Sequence, residues 1–208
     1  MNFDLERTIR TLEKDGAVFF NELFNSEVVN ELLNDFKYKN NFFEQNEIDV
    51  KFFENQKIIS HPLLRSSISL KILSNDKLHK LLSFFLIKPR IVALRYYETF
   101  KGGLGNSFSW HHDEKSFNDK INSIVMIVYL NDVKSLEDGA FQYIKSSHTY
   151  SQKFEDLKSN AKKGKDFFKD NIDKKYSKSI VSVFGSAGTV LIADGRIIHR
   201  AHPRLKKS

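Results

Sequence analysis

The sequence contains no cysteine. That absence removes disulfides, thiolate nucleophiles and zinc–thiolate sites together, and a reducing cytosol is the compartment it suits best. Long apolar runs are also missing. The longest, SFFLI and SIVMIVYL, fall far short of the roughly 20 residues a membrane helix needs. The N-terminus, MNFDLERTIR, is charged from Asp4 onward and leaves no secretory apolar region. A soluble, cytoplasmic protein with no membrane partner is expected. Proline is scarce, at three residues, and there is no low-complexity tract or internal repeat.

What remains is core material. Apolar residues make up 40% of the 208 residues, and nineteen phenylalanines stand against one tryptophan, so the core is expected to be filled by Phe. One domain spanning 1–208 is long enough to bury it. The net charge of +7 favours anionic partners by concentrating them near the surface. Its densest patch, Lys153 to Lys178, is interleaved with Asp and Glu, which marks a solvated face and not a nucleic-acid footprint.

The first part, 1–88, reads as mostly helical. LERTIRTLEKDG places Leu5, Ile9 and Leu12 on one helical face and ends in a glycine suited to a C-terminal cap. AVFFNELF is a short strand. NSEVVNELLNDFK starts at Ser26, the expected N-cap, and carries Val28, Val29, Leu32, Leu33 and Phe36 on one side. SNDKLHKLLSFFL is a further helix, stopped by Lys88-Pro89. From 89 onward the pattern turns β-branched and aromatic. RIVALRYYETF, SIVMIVYLND, GAFQYI, SIVSVFG, GTVLIAD and RIIHRAH are six short strands separated by Gly, Asp or Ser, a pattern of antiparallel sandwiches and barrels. A lysine-rich insertion of helix and loop interrupts them at about 149–178, either as a lid or as a passive excursion.

Between the glycine-rich turn KGGLGNS and the apolar run SIVMIVYL lies SWHHDEK. On an extended chain His111 and Asp113 share a face while His112 points the other way. An imidazole and a carboxylate so placed can grip one cation, and a third ligand must come from another strand. His199 has the best context, in the apolar VLIADGRIIHRAH, where an unpartnered buried imidazole would be costly. His148 in IKSSHTY suits a turn or a cap, and His202 falls on the opposite face from His199. Two histidines and one carboxylate form the facial set used by non-haem Fe(II) oxygenases, with coordination positions left open. A loop of surface residues is the bland alternative for the same stretch.

Four blocks, in order, raise the iron reading. LEKDGAVFFNELFNSEVVNELLND, WHHDE, IVYLNDVKSLEDGAFQYIKSSH and GTVLIADGRIIHRAHP together resemble the phytanoyl-CoA dioxygenase-like branch of the Fe(II)/2-oxoglutarate oxygenases, along the length of the chain. The resemblance implies a mainly β fold with flanking helices, a cupin-like double-stranded β-helix or jelly roll, its core in 89–208 and the helical part of 1–88 packed outside it. It implies Fe(II) held by His111, Asp113 and His199, 2-oxoglutarate chelating the iron, and O₂ consumed with release of succinate and CO₂ as a small-molecule substrate is hydroxylated. The protein's own part is to orient substrate and exclude water.

The family's 2-oxoglutarate carboxylate is usually held by an arginine on a last strand beyond the distal histidine, because the planar guanidinium binds a carboxylate bidentately. Here the chain ends at Ser208. Either that strand is missing, or Arg204, or less favourably Arg200, serves instead, with a frayed terminus as the bland reading of Arg204. Arg95 and Tyr97, on one face of the strand ALRYYETF, are further candidates for the co-substrate pocket. Arg95 could equally pair with an acid at the rim. His112 either lines the same pocket or lies on the surface. Trp110 is expected to pack beside the site, and Asp138-Gly139 to form a turn. A catalytically silent jelly-roll protein that keeps the fold and binds a ligand is the alternative function. Asp113 speaks against a halogenase, which needs that position vacated. A nucleic-acid demethylase would require oligonucleotide affinity that falls steeply with salt.

Overall fold

The structure is a computed structural model, and it describes residues 3–21, 23–46, 50–53, 56–60, 72, 74–93, 95–100, 109–114, 120–150 and 172–205. The glycine-rich turn at 101–107, His61 and most of the lysine-rich insertion, 151–171, lie outside the described residues.

Helix α1 spans Leu5–Asp15. Asp4 caps it by accepting from the Arg7 amide, and Gly16 closes it at φ 81°, donating its N–H to Leu12. Helix α2 spans Ser26–Asn46. Its cap is Asn25, whose Oδ1 accepts from the Val28 amide at 3.0 Å, so Ser26 is the first helical residue and not the cap. Both residue types can cap; here the asparagine carbonyl reaches the third amide of the helix first. Helix α3, Asp76–Phe85, is capped by Asn75 and ends before Lys88-Pro89, as the sequence pattern requires.

Among the described residues nine strands follow one another: β1 Ala17–Phe20, β2 Val50–Phe53, β3 Gln56–Ser60, β4 Arg95–Thr99, β5 Ile124–Val128, β6 Phe141–Ile144, β7 Ile180–Val183, β8 Val190–Asp194 and β9 His199–Ala201. All six strands expected after residue 89 are present. The β2–β3 hairpin falls in the part read as mostly helical. Its short runs VKFF and QKIIS carry lysines and no bounding glycine, so they give little strand signal.

These strands pair into three antiparallel sheets among the described residues, in the orders β1-β8-β5, β2-β3-β4 and β7-β6-β9. Between the first and third lies a core of Ala17, Phe141, Tyr143, Val183, Leu191, Ala193 and Ile197. The opposite face of the first sheet meets the helices through Leu12, Val18, Phe20, Leu32, Leu78, Leu81, Val190 and Ile192. Strand β8 is therefore buried on both faces, which explains why VLIAD reads as a continuous apolar run and not as an alternation. The Tyr129 hydroxyl joins the two sheets, donating to the Val183 carbonyl at 3.1 Å and accepting from the Phe141 amide at 3.0 Å. This arrangement of β-sheets with helices packed outside is a jelly-roll fold.

Candidate metal centre

The site is built on two chain segments laid side by side. His111 and His199 form an isolated antiparallel bridge, exchanging N–H···O bonds of 3.0 and 2.8 Å. Directly opposed residues project to the same face, and the two imidazole centroids are 4.4 Å apart. Two residues on, the Asp113 side chain returns to that face. Its backbone is fixed by Gly195, whose carbonyl accepts from the amides of Asp113 at 3.0 Å and Glu114 at 2.9 Å. Gly195 belongs to the turn after β8, closed by Ile197 N–H to the Asp194 carbonyl and braced by a buried Arg196–Asp194 ion pair at 2.6 Å. This Asp194-Gly195 turn is thus what aims the carboxylate.

His199 Nε2 stands 3.7 Å from Asp113 Oδ2. One ligand atom from each of His111, Asp113 and His199 lies within 4.8 Å of the others. The ring orientation suits a cation. His111 Nδ1 lies 2.7 Å from the Ser109 carbonyl, and His199 Nδ1 lies 3.0 Å from the Ile197 carbonyl. A carbonyl only accepts, so both Nδ1 atoms carry the proton and both Nε2 atoms keep a lone pair. His199 is buried against Phe141, whose ring stacks on it at 5.1 Å. Burial, helped by His111 and opposed by Asp113, lowers its pKa to about 4. At neutral pH it is the unprotonated imidazole that a metal requires. Two imidazoles and a partly exposed carboxylate fit a borderline divalent ion with open positions.

The remaining candidates fall in different places. His112 turns away, its Nδ1 2.7 Å from the Glu114 carbonyl, and is not among the converging groups. Arg95 and Tyr97 share a face of β4 and are bonded to each other, Nη1 to hydroxyl at 3.3 Å. That bond, with a contribution from the charge of Asp113, raises the Arg95 pKa, so this exposed guanidinium lies within electrostatic reach of the carboxylate. Arg204 donates from Nη1 to the Thr99 carbonyl at the other end of β4, at 3.3 Å. Its Nε is buried and has no hydrogen-bond partner among the described residues. Arg200 points away from the three ligands: it forms an ion pair with Asp173 at 3.2 Å and its guanidinium carbon lies 4.2 Å from the Trp110 ring centroid.

Two other histidines have structural work. His148 caps α1 through Nε2 and the Glu13 carbonyl at 2.9 Å. His202 Nδ1 lies 3.0 Å from the Pro203 carbonyl. Sequence reasoning missed Gly195 as a clamp, Ser147, whose hydroxyl accepts from the Ile198 amide at 2.8 Å, and Asp173. The last sits in the lysine-rich segment, where one acid among many gives no signal.

A family model described as Phytanoyl-CoA dioxygenase (PhyH) matches residues 12–206. The chain belongs to that family. Compared by sequence, this PhyH member matches no curated protein significantly. Compared by structure, it is similar to HygX from Streptomyces hygroscopicus with nickel and 2-oxoglutarate bound, at TM-score 0.73 and 15% identity, over 97% of this chain and 82% of that one. It is also similar to EctD from S. alaskensis with bound Fe, at TM-score 0.66 and 16% identity, over 97% and 72% of the two chains. The epimerase SnoN, from nogalamycin biosynthesis, in complex with Fe3+, alpha ketoglutarate and nogalamycin RO, aligns at TM-score 0.63 and 17% identity, over 98% and 79%. Enzymes of the PhyH family use Fe(II), 2-oxoglutarate and O₂, and this member is an Fe/2-oxoglutarate oxygenase-type enzyme. Among the described residues no helix is long and apolar enough to cross a membrane.

Proposed function

We propose that His111, Asp113 and His199 hold the ferrous ion and that the enzyme hydroxylates a small-molecule substrate. The observation that carries this reading is the convergence of the three ligand atoms within 4.8 Å, with both Nε2 lone pairs left available. When bound, iron with 2-oxoglutarate supplies O₂ activation coupled to oxidative decarboxylation. The chain's own residues do the rest. Burial keeps His199 unprotonated, Phe141 shields it from water, and the Ser109 and Ile197 carbonyls hold the two rings in the ligating tautomer. Arg204, whose buried Nε has no partner among the described residues, is the residue to receive the far carboxylate of 2-oxoglutarate, since a bidentate partner would satisfy it.

Arg95, exposed and within electrostatic reach of Asp113, adds positive charge near the ligands and favours an anionic substrate. HygX has been crystallised with hygromycin B and SnoN with nogalamycin RO, which supports a small molecule over a macromolecule here. SnoN is an epimerase, so the fate of oxygen has to be tested directly.

Two measurements suffice. Anaerobic Fe(II) with 2-oxoglutarate is expected to give a weak visible charge-transfer band, absent without either component. Under ¹⁸O₂, a turned-over substrate is expected to gain one labelled oxygen atom. Epimerisation without incorporation would refute the hydroxylase assignment alone. Failure to bind 2-oxoglutarate in the presence of Fe(II) would leave the protein a catalytically silent jelly roll.

A further inference from the structure

We propose that Trp110, Asp173 and Arg200 act as positioning residues for the metal centre from behind the strands that carry its histidines. Trp110 and Arg200 are the chain neighbours of His111 and His199, and alternation puts them on the opposite face of the same bridge. There they form one closed network. Arg200 donates Nη1 to Asp173 Oδ2 at 3.2 Å, and its Nη2 lies 3.2 Å from Asp173 Oδ1. The Trp110 indole N–H donates to the same Oδ1 at 2.9 Å, and the Arg200 guanidinium lies over the indole ring. Arg200 Nε donates to Gln142 across β6–β9 at 2.9 Å, and Gln142 donates in turn to Ser182 on β7 at 3.0 Å.

The network answers a mechanical need. An isolated bridge supplies two backbone hydrogen bonds, while a metal set must be held to about 0.5 Å. Asp173 fixes both sides of the bridge at once, through Trp110 on one segment and Arg200 on the other. It also ties the site to the lysine-rich insertion. Asp173 stands in the helical turn at 172–175 where that insertion returns, and the insertion's two ends are clasped by Tyr150 stacked on Tyr176 at 5.8 Å. Ile172 seals the clasp, packing with Trp110, Ile144 and Ile198.

Removing the Asp173 charge leaves the buried Arg200, a residue 6% exposed, without its counter-ion, which favours its escape and frees both segments. The proposal rests on His111, Asp113 and His199 being the metal ligands, so the wild-type arm of the test is read first. Ni(II) serves as a redox-inert probe, titrated by calorimetry. Trp110 is the chain's only tryptophan, so its emission in the metal-free protein reports the network directly. Asp173→Asn and Arg200→Gln are expected to shift that emission to longer wavelength and to weaken Ni(II) binding about 10- to 100-fold, the range for lost outer-shell support. Leu81→Val, in the helix-packed core, is expected to lower the melting temperature and leave Ni(II) affinity unchanged.

Arg200→Lys keeps the charge and loses the fork, and an intermediate loss of affinity is expected; it carries the test if Asp173→Asn does not fold. Variants with shifted emission that bind Ni(II) as the wild type does would overturn the positioning role. Wild-type protein that binds no Ni(II) would overturn the ligand assignment itself, and the positioning role with it.

Discussion

Gly195→Ala tests how the carboxylate is aimed. A Cβ at this position would stand 2.0 Å from Ser123 Oγ, 3.1 Å from Glu114 Cβ and 3.2 Å from Ser123 Cβ. The first distance is impossible, so either Ser123 rotates or the turn moves. The turn is the more consequential choice, because the Gly195 carbonyl receives both the Asp113 and the Glu114 amide and its own amide donates to the Ser123 carbonyl at 3.0 Å. Overpacking of this kind costs about 1–3 kcal/mol. At about 2–4 °C per kcal/mol for a chain of this size, the melting temperature should fall by roughly 2–12 °C. Metal affinity should fall as well, since Asp113 moves with the backbone that Gly195 holds. The double substitution Gly195→Ala with Ser123→Gly removes two of the three clashes and should restore most of both losses. Scanning calorimetry and a Ni(II) titration on the same samples read both quantities. If Gly195→Ala melts and binds metal as the wild type does, the turn does not position the carboxylate.

Burial holds the His199 pKa near 4, against about 6.5 in an unfolded chain. Between those values the unfolded chain binds the proton and the folded one does not, so the metal-free protein should lose stability as pH falls from 6.5 towards 4, by at most about 3 kcal/mol. His199→Ala should flatten that part of the profile; a parallel profile would place the titration elsewhere. Arg204→Met should raise the KM for 2-oxoglutarate by tenfold or more with Fe(II) affinity retained, and an unchanged KM would exclude Arg204 from the co-substrate pocket. Tyr129→Phe deprives the Phe141 amide of its acceptor and should cost about 1–3 kcal/mol in chemical denaturation. A neutral result there would mean water replaces the hydroxyl.

Much of this was legible in the sequence because the signals were local or periodic. The facing of His111 and Asp113 follows from strand alternation across two residues. The six strands after residue 89 announced themselves by β-branched runs between turn residues, and Gly16 by its place after an amphipathic helix. Arg200 was the less favoured candidate for the co-substrate carboxylate, and the same alternation explains why it instead pairs with Asp173 behind the ligands. What escaped depends on contacts between distant segments. Nothing in DNIDKKYSK marks Asp173 as the partner of Trp110 and Arg200, since its role exists only once the insertion returns beside β9. The β2–β3 hairpin carries Lys51 and Lys57, and Lys57 is buried, a position that composition assigns to solvent. Asn25 and Ser26 are both good caps in adjacent positions, and local pattern could not rank them.

The central claim is that one ion is shared by three side chains from two segments. Its most direct test is the stoichiometry of Fe(II) bound anaerobically by the wild type and by four single alanine variants, measured after desalting. One ion per chain is expected for the wild type and for His112→Ala, and none for His111→Ala, Asp113→Ala or His199→Ala. Retention of iron by His199→Ala, or its loss from His112→Ala with His111→Ala still loaded, would contradict the account.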